Sequence, residues 1–243
     1  MYRHLSSIYL CLLFFVTSLI FFVIAIILRV TTVRFDRKLT VLHLFSCFWA
    51  ACYTWLNPLW RVSITGRDNI DTRKVYVMVS NHQSVVDILV LYRIFKPYKW
   101  VGKASLFKIP LLGWNMSMNK YIKIVRSSVS SQRRMIRLCS KNIGEGNSIM
   151  IFPEGTRSAN GELRNFKEGA FLIAMQQKVD IIPMVINGTA NALPPKGYPF
   201  NPQKMRLHIL PPVPYETYRD MTVAEVSGHV RQIMADELNR MRK

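Results

Sequence analysis

Acidic residues are scarce in this 243-residue sequence, with 14 Asp and Glu against 33 Lys and Arg and a formal net charge of +19 at pH 7. The surplus of cations points to a polyanionic partner: nucleic acid, an anionic lipid surface or phosphate-bearing substrates. Cysteine is rarer still. Cys11, Cys47, Cys52 and Cys139 show no C-x-x-C spacing, so they supply neither a disulfide framework nor a zinc site and fit a reducing compartment. Charged residues make up only 19% of the chain while 50% are apolar, which excludes a disordered or linker-like chain. No internal repeat is visible, and the length suits one main domain with an appendage.

Charge is missing altogether between Arg3 and Arg29, apart from a titratable His4. The largely apolar run from Ile8 to Leu28 would be about 31 Å long as a helix, enough to cross a hydrocarbon core. It exceeds the roughly 7–15 residues of a secretory signal. It also lacks an A-x-A site and is followed by Arg29, Arg34, Arg37 and Lys38, so a retained anchor is expected. A second uncharged stretch, Leu39 to Trp60, carries Phe45, Phe48, Trp49, Tyr53, Trp55 and Trp60. Such aromatic density belongs at a membrane–water boundary. Two full crossings would place the basic loop between them on the far side from a basic domain, against the positive-inside tendency. The sequence therefore predicts an anchor over 1–60, with one deep helix over 8–28 and an interfacial or half-inserted helix over 39–60. Residues 61–243 then form a domain that folds on its own, on the cytoplasmic side of the membrane.

Beyond residue 61 the pattern is that of an α/β fold. Val75–Ser80, Ser148–Phe152 and Asp180–Ile186 read as buried strands, Asp87–Phe95 as a helix and Phe166–Lys178 as a helix weakened by Gly169. Strands alternating with helices predict a mainly parallel sheet with helices on both faces. Thr222 and Glu225 form a capping box opening a C-terminal helix whose apolar side is Val226, Ile233, Met234 and Met241. Asn187–Pro214, where prolines and glycines cluster, reads as loop. Between Asp87 and Glu145 there is no acidic residue, while twelve basic ones occur, Arg93 to Lys141. A solvated face usually mixes both signs. A single-sign stretch beside an anchor suits lipid or nucleotide phosphates, whereas nucleic-acid binding gives no reason for a retained anchor.

Two short stretches carry chemistry. In Asn81-His82-Gln83-Ser84-Val85-Val86-Asp87, the carboxylate of Asp87 can fix the imidazole of His82 and leave its other nitrogen free to take a hydroxyl proton. Ser84-x-x-Asp87 also reads as a helix cap, which would explain Asp87 without catalysis. In Phe152-Pro153-Glu154-Gly155-Thr156-Arg157-Ser158, a glycine-containing loop at a strand's end can aim backbone amides at an anion. There Arg157 can clamp a phosphate, Thr156 can add a hydroxyl, and Glu154 can orient the arginine or a substrate hydroxyl.

Together these stretches resemble the phospholipid/glycerol acyltransferase family, whose hallmark is an H-x4-D block followed by F-P-E-G-T-R-S. The two blocks lie about 70 residues apart here. Gly102-Lys103-Ala104-Ser105-Leu106 through Pro110 and Gly113, Phe166-Lys167-Glu168-Gly169 and Ile182-Pro183-Met184-Val185 are similar to further family segments, so the resemblance covers roughly Val75 to Pro212. One block departs. Where the family has G-x-I-x-x-D/N-R, this chain has Lys120 for the glycine and Val125 for the acid, but it keeps Arg126.

The resemblance implies transfer of a fatty acyl group from acyl-CoA or acyl carrier protein to the free hydroxyl of a lysophospholipid, first of all 1-acyl-glycerol-3-phosphate, giving phosphatidic acid. It makes His82 the general base and Asp87 its orienter. Arg126, Glu154, Gly155, Thr156 and Arg157 bind the phosphate-bearing acceptor, with Lys103 a further phosphate contact. The thioester is already reactive, so no metal and no cofactor beyond the donor substrate is expected. The expected partners are a phospholipid membrane (a bacterial inner membrane), the lysolipid and the donor, with no nucleic acid. Another lysophospholipid or glycerol-3-phosphate as acceptor, and a membrane-tethered anion-binding scaffold without catalysis, stand as alternatives.

Overall fold

A computed structural model describes residues 2–158, 161–193, 197 and 199–243, residues 2 and 3 by their backbone alone. Two long helices come first, α1 (Tyr2–Thr31) and α2 (Thr40–Trp55). They are followed by β1 (Trp60–Thr65), β2 (Val77–Ser80), α3 (Val86–Tyr92), β3 (Lys99–Lys103), α4 (Leu112–Met118), β4 (Ile122–Ile124), α5 (Val129–Gly144) and β5 (Ile149–Ile151). The chain ends with α6 (Gly169–Gln177), β6 (Ile181–Asn187), β7 (Gln203–Ile209), α7 (Tyr215–Tyr218) and α8 (Val223–Arg242).

The strands form one sheet in the order β1-β7-β6-β2-β5-β3-β4. Every neighbouring pair is parallel except β6 with β7. The central strands β2, β5 and β6 are buried on both faces, which is why they read as unbroken apolar runs. Their side chains alternate between two cores. Met78, Met150, Ile182 and Met184 face a core covered by α1, α2, α3 and α4. Val77, Val79, Ile149, Ile151 and Val185 face a second one under α5, α6 and α8. The fold class is thus the one expected.

Two local readings need correction. The region read as loop contains β7, where Met205, Leu207 and Ile209 turn inward at every second residue. That period-two signal is short and flanked by prolines. Gly169 does not interrupt a helix but is the first residue of α6. The capping box at Thr222 and Glu225 is formed as expected.

The N-terminal helices share the domain's core. Leu10 of α1 and Cys47 and Ala50 of α2 belong to the same buried cluster as Met78 and Met150 of the sheet. His43 of α2 lies with Nδ1 2.7 Å from the Tyr121 hydroxyl and Nε2 3.0 Å from the Lys96 carbonyl. The composition break near residue 60 therefore does not mark a break in packing. His4–Thr31 within α1 is long and apolar enough to cross a membrane, and most of its surface is uncovered by protein.

Helix α4 ends where the sequence departs from the family pattern, and the geometry explains why a glycine suits this position. Tyr121 N–H donates to the Met116 carbonyl (3.1 Å) and Lys120 N–H to that of Ser117 (3.0 Å). This is the paired Schellman closure, which requires a left-handed residue at the position after the cap. Lys120 takes that conformation, with φ at 55°. A glycine would adopt it freely, while a residue with a Cβ loses about 1 kcal/mol.

Two outcomes follow. Lys120→Gly is expected to stabilise the protein by about 1 kcal/mol, or roughly 2–4 °C in thermal midpoint by calorimetry. Deleting residues 1–59 uncovers one face of the sheet, so the remainder is expected to aggregate and to lose a cooperative transition in circular dichroism. A monodisperse, cooperatively melting fragment would show that α1 and α2 are dispensable to the core.

Candidate active site

The two chemical stretches meet at the carboxyl ends of the adjacent parallel strands β2 and β5, where open α/β sheets hold their ligands. The Asn81 side chain fixes the exit of β2 by pairing with β6. Its Nδ2 donates to the Ile186 carbonyl (2.8 Å) and its Oδ1 accepts from Ile186 N–H (2.7 Å). His82 follows. Its ring stacks on Phe152, the first residue of the second stretch, at 4.0 Å between centroids and 13° between planes. Ser158 N–H donates to the His82 carbonyl (2.8 Å), closing the two loops on each other.

Asp87, in the first turn of α3, is fully buried. Its Oδ2 lies 2.8 Å from His82 Nδ1. A carboxylate only accepts, so Nδ1 carries the proton and Nε2 is left as the proton acceptor. The same oxygen accepts the N–H groups of Gln83 (2.6 Å) and Ser84 (2.8 Å), and Oδ1 accepts from the Thr189 hydroxyl (2.5 Å). Capping and dyad geometry are thus both present, in one carboxylate.

Glu154 is held differently from the expected acceptor contact. Its Oε1 accepts the N–H of His82 (2.7 Å) and its Oε2 that of Arg164 (3.2 Å), and the residue is only 3% exposed. Burial raises its carboxyl above the usual range, while the His82 and Arg164 amides pull it back down. Glu154 ties the His82 backbone to the second loop.

A basic cavity of about 600 Å³ opens beside this tie, lined by Lys103, Arg126, Arg164 and Lys167 together with Gly155 and Thr156. Arg126 is half-buried, and loss of water lowers its pKa. Gly155 stands at φ 70°, and a Cβ there would come within 2.9 Å of Lys167 Cε. The glycine both makes the turn and lets the lysine stem lie over it. Of the expected phosphate-binding residues, Arg126, Gly155, Thr156, Glu154 and Lys103 line this cavity, whereas Arg157 is exposed and lies outside its lining.

A second cavity of about 520 Å³ is almost wholly apolar. It runs from Val85 and Val86, beside the dyad, to Phe14 of α1 and Trp49 of α2. Leu111, at φ 61° and ψ −60°, forms a tight turn in which Leu112 N–H donates to the Pro110 carbonyl (2.7 Å), presenting Leu111 and Leu112 to the cavity. Nearby, Gly113 has no room for a side chain, since a Cβ would meet the Phe107 carbonyl oxygen at 2.4 Å.

Sequence reasoning did not single out Thr189, Arg164 or the task of Lys167. Thr189 was findable, because Asn187-Gly188-Thr189 leaves the carboxyl end of a buried strand beside the first stretch. Arg164 has no local signal, since only the tertiary fold brings it to Glu154. Among the described residues, no group of three or more His, Cys, Asp and Glu side chains converges as a metal site.

Comparison with known proteins identifies the family and the fold. The acyltransferase family model matches residues 61–187. A 1-acyl-sn-glycerol-3-phosphate acyltransferase of Chlamydomonas reinhardtii is 34% identical over 182 residues, 74% of this chain and 54% of that protein. The chloroplastic protein of that name from Arabidopsis thaliana is 34% identical over 194 residues, 78% of this chain and 53% of its own. The Saccharomyces cerevisiae protein is 34% identical over 206 residues, covering 82% and 68%. This chain therefore spans about half the length of the algal and plant relatives it matches. Among solved structures, the 1-acyl-sn-glycerophosphate (LPA) acyltransferase PlsC from Thermotoga maritima has the same fold, with a TM-score of 0.79 at 22% identity over 99% of this chain and 98% of that one. With both sequence blocks joined at one crevice and the family model spanning more than half of its length, the chain belongs to the acyltransferase family.

Proposed function

We propose that this protein is a membrane-bound O-acyltransferase. It moves a fatty acyl group from acyl-CoA or acyl carrier protein to the free hydroxyl of 1-acyl-glycerol-3-phosphate, making phosphatidic acid. The observation that carries the reading is that the His82 backbone is bonded to Glu154, which lines a basic cavity, while Val85 and Val86 of the same stretch line an apolar one. A lysophosphatidate has those two ends, an anionic head and a hydrocarbon tail, with the reacting hydroxyl between them. The relatives' names support the same acceptor.

In the proposed reaction the phosphate lies among Lys103, Arg126, Arg164 and Lys167, and Thr156 adds a hydroxyl donor. His82 Nε2 takes the proton of the acceptor hydroxyl as its oxygen attacks the thioester carbonyl. Asp87 stabilises the imidazolium through Nδ1–H. The tetrahedral intermediate then collapses, the C–S bond breaks, and the imidazolium returns its proton to the departing sulfur. Atoms balance without a metal or further cofactor. Glu154 acts through His82 as a positioning residue. The apolar outward face of α1 and aromatic residues of α2 hold the crevice at the membrane, with the catalytic residues on the cytoplasmic side.

His82→Ala is expected to lower kcat at least a thousandfold with little change in thermal midpoint, in a purified-protein assay with a panel of lysolipids and both donors. Near-normal turnover would remove the general-base role, and activity on no lysolipid would favour the binding-scaffold reading. Glu154→Gln satisfies one of the two amides and sets an NH2 donor against the other. It is therefore expected to cut kcat some 10–100-fold with a smaller effect on the acceptor KM. Arg126→Ala should do the reverse and raise the acceptor KM. A rise in acceptor KM without a fall in kcat for Glu154→Gln would make Glu154 a substrate ligand.

A further inference from the structure

Helix α5 carries a charge pattern that the proposed reaction does not use. Met135, Cys139 and Ile143 point into the second core, while Arg133, Arg134, Arg137 and Lys141 are exposed on the outward side. Residues 133, 137 and 141 are stacked one turn apart, a stripe about 12 Å long. Like charges at this spacing repel. Among the described residues none of the three arginines has a carboxylate partner, and Lys141 reaches Glu145 only at 3.8 Å. Helix α8, on the same face of the sheet, is different. There Arg240 pairs with Glu237 (2.9 Å) and Arg242 with Glu162 (2.6 Å).

The stripe is placed away from the membrane. Many of the large exposed apolar side chains lie on α1, and others include Phe48 and Trp55 of α2 and Leu112 and Trp114 of α4. All of these helices cover the first core, whereas α5 covers the second, with the sheet between them. A cationic face turned from the bilayer needs a soluble anionic partner. It also leads to the crevice. Gln132 Nε2 donates to the carbonyl of Arg126 (2.8 Å), a residue of the basic cavity. Val125 and Val129, exposed at 45% and 62%, sit at that end of the stripe. None of the four cations lines either site cavity. A flat helix face that mixes cations with apolar side chains suits another protein's surface better than a nucleotide, which needs a cleft.

We propose that the outward face of α5 docks an acidic acyl carrier protein, which delivers the thioester from the aqueous side while the acceptor enters from the membrane side. This rests on the acyltransferase reading above and names its donor. The test uses full-length protein in detergent, comparing wild type with Arg133→Glu/Arg137→Glu and with the milder Arg133→Gln/Arg137→Gln. The expected result is a tenfold or greater rise in KM for acyl carrier protein thioester, with kcat and KM for acyl-CoA of the same chain length within twofold. Binding of unacylated carrier protein to His82→Ala protein, read by fluorescence anisotropy, should weaken with the same substitutions and with added salt. This binding arm needs no turnover. A protein inactive with both donors that still binds the carrier through α5 would fail the reaction and keep the surface. Equal losses with both donors, no loss with either, or loss of binding to phosphatidylglycerol vesicles would each overturn the docking surface.

Discussion

The crevice depends on a single buried charge. Asp87 is fully buried, and a carboxylate removed from water is stable only where donors replace the lost hydration. Four donors do so: the His82 ring, the amides of Gln83 and Ser84, and the Thr189 hydroxyl. These come from the loop after β2 and the loop after β6, so satisfying one carboxylate fixes three segments at once. The orientation of His82 is a consequence of that satisfaction. A loop that met the carboxylate by other means would leave the imidazole free to rotate, and its tautomer undefined.

Glu154 extends the same principle to the neighbouring strand. The two amides it accepts belong to His82 and Arg164, one in each of the loops that form the crevice. The His82 ring also stacks on Phe152, which in turn stacks on Trp100 at 5.5 Å. The imidazole is thus held at its backbone, at one ring nitrogen and on one face, while its remaining nitrogen points to the reacting hydroxyl in the proposed reaction. Rigid support of this kind is what a general base requires, because proton transfer depends steeply on distance and angle.

The parts legible in the sequence are those whose cause is local. The buried central strands, the capping box and the two blocks announce themselves in composition and spacing. Competing readings of Asp87, as cap or as orienter, could not be separated by spacing because both use the same carboxylate. The positioning contacts of Glu154 were not legible for a different reason. A charged residue in a phosphate-loop pattern reads as a ligand, and only the fold brings it the backbone amides of His82 and Arg164. Strand β7 was hidden by flanking prolines. Lys120 was legible as a departure but not as a cause, since the left-handed closure of α4 shows only in the backbone.

Sidedness explains why so few acids suffice. The sheet divides the molecule into a face bearing α1, α2, α3 and α4 and a face bearing α5, α6 and α8. On the first, apolar exposure replaces charge, as an anchored surface requires. The basic cavity sits at the sheet's carboxyl edge between the two, where a headgroup held at the interface would meet it. Acids in these regions would repel the anionic head, whereas an acid buried under satisfied hydrogen bonds presents no such field at the surface. Asp87 is such an acid, Glu154 has both carboxylate oxygens occupied by backbone amides where it borders the cavity, and Glu237 of α8 is paired with Arg240. The single-sign stretch from Arg93 to Lys141 thus contributes to two separate surfaces, a basic cavity and a helix face open to water.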